Sequence, residues 1–217
     1  MTVATLLSDL DPLTTAETVG EALLALAEAS VGHLPVLDPD DRLDSIVSEA
    51  ALQALPDPSA PLGALVAGEP VSTGLDTHVF DAAHVMRQHG LSVLPVLTED
   101  GTYAGLVVRQ AVFGQLAHML ATEEAGAIIV LDAARQDFSL GQVAQLVEQN
   151  GVRILSVSTE DDPGAGRVRV TLKLNVTDTS RIRHIMAHYS YRVVAAFDEA
   201  EGDLEERAAA FLRYLEV

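Results

Sequence analysis

His33-Leu34-Pro35-Val36-Leu37-Asp38 returns sixty residues later as Val93-Leu94-Pro95-Val96-Leu97-Thr98, and this echo decides how the chain is read. Pro35 and Pro95 fix the offset. At that spacing Thr15, Val19, Ala22, Leu34, Val36, Leu37, Ile46 and Val47 meet Leu75, Val79, Ala82, Leu94, Val96, Leu97, Leu106 and Val107. Apolar positions mostly meet apolar positions, without a gap, from Thr15 to the pair Gln53 and Phe113. A repeat of this length is one folded unit copied, with each copy burying its apolar face against the other.

Each copy reads as a short extended entry, a helix, a strand through Leu-Pro-Val, a tight polar turn, a second strand and a second helix. The first helix opens at Thr18-Val19-Gly20-Glu21, a capping-box spacing in which threonine and glutamate satisfy orphan N–H groups. Val19, Ala22, Leu23 and Leu26 follow at helical spacing; Val79, Ala82, Ala83 and Met86 do the same in the second copy, closed by Gly90. The turns Pro39-Asp40-Asp41 and Glu99-Asp100-Gly101 suit hairpins. Between the copies lies Pro56-Asp57-Pro58-Ser59-Ala60-Pro61, whose three prolines cannot continue a helix.

The pattern changes after Ala121-Thr122-Glu123-Glu124-Ala125-Gly126, which marks a domain boundary. Gly126 to Leu131 is a continuous apolar run suited to a central strand, and Asp132 to Asp137 reads as a loop. Ser139-Leu140-Gly141-Gln142 opens a helix with Val143, Leu146 and Val147 inward; a strand follows from Val152 to Thr159, then a turn at 161–166. From Arg167 to Val176 the alternation is strict: Val168, Val170, Leu172, Leu174 and Val176 on one face, Arg167, Arg169, Thr171, Lys173 and Asn175 on the other. A helix with Ile182, Ile185, Met186 and Tyr189 inward and a strand from Tyr191 to Phe197 complete a βαββαβ, ferredoxin-like order. Leu204, Ala208, Phe211, Leu212 and Leu215 add a C-terminal amphipathic helix.

The 217-residue chain carries 32 acidic against 13 basic residues, a net charge of −19. Nucleic-acid affinity rests on cations that neutralise phosphates, so this balance argues against a nucleic-acid partner. The acids are scattered, Lys173 is the one lysine, and alanine is abundant. Two readings compete, a docking surface for a basic partner and a halophilic setting. The scatter favours the second, because the Debye length falls to about 3 Å at 1 M salt and self-repulsion is screened. The fold is therefore expected to require molar salt. Melting midpoints that rise steeply between low and molar potassium chloride will register this; equal midpoints will contradict it. The sequence holds no cysteine and no run of about 18 apolar residues, and its first residues lack the basic head of a signal peptide. A soluble, cytoplasmic protein is expected.

The tandem units around the two Leu-Pro-Val strands resemble a pair of cystathionine-β-synthase (CBS) domains, and the third unit resembles an ACT domain. The order CBS-CBS-ACT is similar to that of the acetoin-utilisation-protein-B-like proteins of bacteria. The resemblance implies an α+β chain: a tandem CBS-domain pair at 1–58 and 59–122, then a ferredoxin-like ACT-like domain with a C-terminal helix at 123–217. It implies a non-catalytic regulatory protein that senses a small ligand, a homodimer formed through CBS or ACT-like domains, and no required cofactor. The ligand implied is AMP, ADP, ATP or a related adenosyl compound.

The pocket that the resemblance implies comprises Thr14 and Thr15 at the entry, His33, Leu34, Pro35 and Ser48 in the first copy, and Leu94, Pro95 and Arg109 in the second. After Leu-Pro-Val the family pattern runs glycine, two apolar residues, serine or threonine, two further residues, then an aspartate that accepts the ribose hydroxyls. Here those positions read Ser45, Ile46, Val47, Ser48, Glu49, Ala50 and Ala51 in the first copy, and Gly105, Leu106, Val107, Val108, Arg109, Gln110 and Ala111 in the second. Ser48 keeps the hydroxyl and Gly105 the glycine; Ala51 and Ala111 stand where the carboxylates belong. A charge-assisted hydrogen bond contributes about 1.5–3 kcal/mol, so each loss weakens ribose binding roughly ten- to a hundredfold. The resemblance places adenine against Leu34, Pro35 and Ile46 with phosphates near His33, and a phosphate of the other cleft at Arg109. In the competing reading Leu-Pro-Val is strand core, Ser48 caps a helix, and the module is a constitutive interaction scaffold with empty clefts.

Other constellations carry less. Asp132 and Arg135 suit an ammonium and a carboxylate, and Arg167, Arg169 and Lys173 on one strand face suit an anionic effector; solvated, internally paired charges are the alternative for both. His184 and His188 stand one helical turn apart without a third ligand, so no metal site is expected. Phosphate-binding glycine loops and a nucleophile elbow are absent from the sequence, and no catalytic residues are expected.

Overall fold

A computed structural model of the chain describes residues 1–65, 69–162 and 164–198. The chain divides into two compact units, 1–116 and 117–217. The C-terminal helix expected from Leu204, Ala208, Phe211, Leu212 and Leu215 lies outside the described residues. Among the described residues no helix is long and apolar enough to cross a membrane.

The first unit holds the repeat. In its first copy β1 (Leu13–Thr14) precedes α1 (Val19–Ala29), β2 (His33–Leu37), β3 (Leu43–Ser48) and α2 (Glu49–Gln53). The second copy gives β4 (Thr73–Gly74), α3 (Val79–His89), β5 (Val93–Leu97), β6 (Tyr103–Val108) and α4 (Arg109–Met119). Each copy makes a three-stranded sheet, in order β1-β2-β3 and β4-β5-β6, whose first strand is parallel to the second and whose hairpin is antiparallel. The registers repeat as well: His33 opposes Ser48 as Val93 opposes Val108, and Pro35 opposes Ile46 as Pro95 opposes Leu106.

Local chemistry sets these boundaries. The capping box at Thr18 is formed, with Glu21 N–H donating to Thr18 Oγ1 at 3.3 Å and Thr18 N–H donating to Glu21 Oε2 at 2.8 Å. In the second copy His78 takes the cap position, and its Nδ1 accepts from Phe80 N–H. Gly90 ends α3 in the left-handed conformation, with φ +67°, where a side chain would be strained. Asp38 Oδ1 accepts from Asp40 and Arg42 N–H to hold the first hairpin turn, and Thr98 Oγ1 accepts from Thr102 N–H in the second.

The copies are built into one another. Residues before each copy cover the opposite one: Val3 N–H donates to Thr77 O and Ala4 N–H to Leu75 O, while Leu62 N–H donates to Glu17 O and Gly63 N–H to Thr15 O. The proline-rich linker read as a spacer thus docks on the first copy through Pro58 and Ala60, which accept from Gly20 and Val19. The apolar cores cross over too. Leu34, Leu26 and Leu52 pack with Val93 and Leu106, and Leu94, Met86 and Val107 pack with Val3 and the half-buried Ile46.

The second unit has β7 (Ala127–Ala134), α5 (Leu140–Glu148), β8 (Ile154–Asp162), β9 (Arg167–Leu174), α6 (Ser180–His188) and β10 (Arg192–Phe197). The sheet order is β10-β7-β9-β8 and every neighbouring pair is antiparallel. Ile129, Leu131, Val168, Val170, Leu172 and Leu174 form the buried face, against Val143 and Val147 of α5 and Ile182 and Met186 of α6. Three sequence expectations change here. β7 continues through Asp132 to Ala134, because Ala133 keeps the buried alternation and Asp132 pairs in register with Arg169. β8 begins at Ile154 and runs on through Asp161 and Asp162, residues read as turn, because the long partner β9 extends the ladder. Tyr189, expected inward, follows the end of α6 and is 48% exposed.

Candidate functional site

The hairpin register brings His33 and Ser48 side by side, and both line a cavity of about 300 Å³ with Ile46, Glu69, Pro70, Val71, His89 and Leu91. Side chains alternate along a strand, so His33, Pro35 and their partners Ser48 and Ile46 share one face while Leu34 points the other way. Leu34 is accordingly core, 2% exposed, rather than a wall of the cleft. Pro35 is buried opposite Ile46. Leu94 is fully buried in the second core and Pro95 is its neighbour in β5, so neither lines this cavity. Thr14 and Thr15 stand near the far end of β2, where Thr14 opposes Leu37 and Thr15 N–H donates to Leu37 O. The entry residues that do reach the cavity belong to the other copy: Pro70 and Val71.

The Ser48 hydroxyl caps α2, accepting from Ala51 N–H at 3.2 Å, and keeps its own proton to donate. His33 is held from behind by Ser92. Ser92 N–H donates to His33 Nδ1 at 3.3 Å, Ser92 Oγ lies 3.1 Å from the same nitrogen, and that Oγ accepts from Gly32 N–H at 3.0 Å. A backbone N–H can only donate, so Nδ1 is the acceptor and the neutral ring carries its proton on Nε2. Burial, and then the nearby Arg109 cation, push the His33 pKa below its ordinary value.

Arg109, expected to meet a phosphate in the second cleft, turns its guanidinium to the backbone. Its Nε donates to Leu91 O at 3.0 Å, and its Nη2 to Gly90 O at 3.1 Å and to Leu91 O, so the guanidinium caps the carbonyls that follow α3. It borders a separate apolar groove with Met86, Arg87, Val112, Phe113 and Leu116. In the second copy Val93 and Val108 replace the ring and the hydroxyl, Ser8 N–H donates to Leu106 O at 2.8 Å, and Leu7 packs against Gly105.

In the second unit three of the suggested ligand groups are engaged in ion pairs. Arg167 Nε donates to Asp132 Oδ1 at 2.8 Å, and Arg135 pairs with Asp161 at 3.0 Å. The hydrogen bond from Arg167 is the main reason that the Asp132 pKa lies below its ordinary value. Among the described residues no group of three or more His, Asp or Glu side chains is arranged to hold a metal ion.

Glu69, Leu91 and Ser92 were not singled out from sequence. The sixty-residue offset was the available signal for Ser92, because it is the counterpart of Gly32, to which it bonds.

The CBS domain family model matches residues 62–118. The CBS domain pair/ACT domain protein of Thermotoga maritima aligns with a TM-score of 0.51 and 20% identity, covering 55% of this chain and 99% of that one. CBSX2 of Arabidopsis thaliana aligns with a TM-score of 0.48 and 25% identity over 57% of this chain and 98% of its own; CBSX2 has also been solved in complex with AMP. The A-adding tRNA nucleotidyltransferase of Aquifex aeolicus is 31% identical over 93 residues, 42% of this chain, and the chain spans 11% of that enzyme's length. Residues 62–118 are thus a CBS domain, and the first unit has the fold of a CBS domain pair.

Proposed function

We propose that the chain is a non-catalytic regulatory protein of the cytoplasm in which the first CBS cleft senses an adenine nucleotide. Its domains are the CBS copies at 1–58 and 59–122 and an ACT-like, ferredoxin-like domain at 123–217, an order resembling that of the acetoin-utilisation-protein-B-like proteins. The convergence of His33, Ser48 and Ile46 on one cavity carries this reading. Ile46, Val71 and Leu91 supply apolar wall for a base, and the His33 Nε2–H and Ser48 hydroxyl supply donors for a phosphate. The volume lies at the small end of ligand pockets, which favours a mononucleotide such as AMP over larger adenosyl ligands. Differential affinity for two arrangements of the chain turns such binding into a signal. A homodimer through the CBS or ACT-like domains completes the proposal.

Calorimetric titration with AMP, ADP and ATP in molar potassium chloride tests it. AMP is expected to bind, and Ser48→Ala to weaken it roughly five- to tenfold through loss of one hydrogen bond. A second reading, the scaffold with empty clefts, draws on the alanines at 51 and 111 and on Ser48 already capping α2. Absence of heat with all three nucleotides will leave the scaffold standing.

A further inference from the structure

The seam between the two repeats is asymmetric at one point, and that point lies against the first cleft. Ser92 and Gly32 are sixty residues apart and so are His33 and Val93, yet only one of the two symmetric positions carries a hydroxyl and only one carries a ring. The cross-link between Ser92 and the Gly32-His33 pair therefore has no counterpart on the other side. Three roles meet at Ser92: its Oγ accepts from Gly32 N–H, its N–H donates to His33 Nδ1, and its carbonyl accepts from Arg109 N–H at 2.9 Å.

We infer that His33 couples anion binding in the first cleft to uptake of a proton, and that this proton rearranges the Ser92 link between the two repeats. The inference rests on the nucleotide reading above and adds how that site is regulated. In the ligand-free cleft the ring is neutral, with Nδ1 accepting and Nε2–H directed elsewhere than Ser92. A phosphate beside Ser48 and His33 favours the imidazolium, since an opposite charge within hydrogen-bond reach stabilises the ionised form. The added proton must sit on Nδ1, where an acceptor has become a donor. Ser92 Oγ, 3.1 Å away, can turn and accept it; Ser92 N–H cannot adapt and loses its partner. Ligand arrival is thereby registered at the backbone that joins α3 to β5, opposite Gly32 of the other copy.

Among the described residues, the other charged and titratable groups placed around the ring are Glu69 and His89, which line the same cavity, and Arg109. Burial, and then Arg109, oppose protonation in the free cleft, so the shift on anion binding runs upward from a depressed starting value. Affinity for a phosphate should then rise as pH falls, by up to about tenfold per pH unit, between the His33 pKa of the complex and that of the free protein. Outside that window the His33 contribution should be flat, leaving the phosphate's own titration. His89 is the competing source of a proton and requires its own control.

The test is calorimetry of the full chain in molar potassium chloride at pH 7, in two buffers of different ionisation enthalpy. AMP is the ligand and adenosine its phosphate-free arm; the proteins are wild type, His33→Asn and His89→Gln. Asparagine keeps an acceptor towards Ser92 and cannot titrate. Wild type and His89→Gln should take up more protons with AMP than His33→Asn does, the remainder being the phosphate's own titration, and adenosine should take up none. Equal uptake in wild type and His33→Asn, with AMP still bound, will overturn the proton link and leave the nucleotide reading intact. Uptake lost only in His89→Gln will also overturn it. Absence of heat with AMP and adenosine alike will remove both proposals. Should His33→Asn fail to fold, the His33 ring resonance in wild type decides: its titration midpoint must move up on adding AMP, and an unmoved midpoint overturns the inference.

Discussion

Gly126→Ala is expected to lower the melting midpoint of the second unit by more than about 10 °C. Gly126 enters β7 with φ +153°, and a Cβ there would stand 2.1 Å from the carbonyl oxygen of Leu174 and 3.1 Å from its carbon. Both obstacles are backbone of the neighbouring strand, and no flexible side chain can yield. Overpacking and a strained φ each cost about 1–3 kcal/mol, so a loss of roughly 3 kcal/mol or more follows. A domain of this size shifts by about 4–8 °C per kcal/mol. Gly151→Ala is the control: φ there is +74° with nothing within 4 Å of a Cβ, and only the left-handed strain of about 1–2 kcal/mol applies. Equal midpoints for the two variants would show that the strand β9 does not approach Gly126 as described.

The second large effect is expected at Leu94, fully buried in β5. Leu94→Ala should destabilise the first unit by about 2–5 kcal/mol, through lost transfer energy and the cavity left behind. The manner of melting matters as much as the amount. Because the core around Leu94 includes Val3 and Ile46, and the core around Leu34 includes Val93 and Leu106, damage to either should lower one shared transition. Scanning calorimetry that shows the second copy melting early while the first holds its midpoint would contradict the crossed cores.

Particular residues show how far the sequence carried. The sixty-residue offset was legible because the Leu-Pro-Val strands and their partners keep one alternation in both copies, and the paired registers His33 with Ser48 and Val93 with Val108 follow from it. The crossed lead-in segments were not legible. Periodicity records that Val3 and Leu62 are apolar, without recording which copy they cover. Strand ends were misread where charge masked a ladder, as at Asp132, Asp161 and Asp162, each held in register with β9. At the candidate site His33 and Ser48 were found because one carries a ring and the other a hydroxyl at matched positions. Leu34 was misplaced because a motif was read as a unit, whereas consecutive residues of a strand face opposite ways. Glu69 and His89 arrive from the other copy, and only the folded chain brings them to the cavity.

The most direct measurement is a crystal structure of the chain grown with AMP in molar potassium chloride. The account predicts the base between Ile46 and Val71, with the phosphate within hydrogen-bond reach of His33 and Ser48. AMP seated elsewhere on the chain, or a first cleft left empty at saturating AMP, would contradict it.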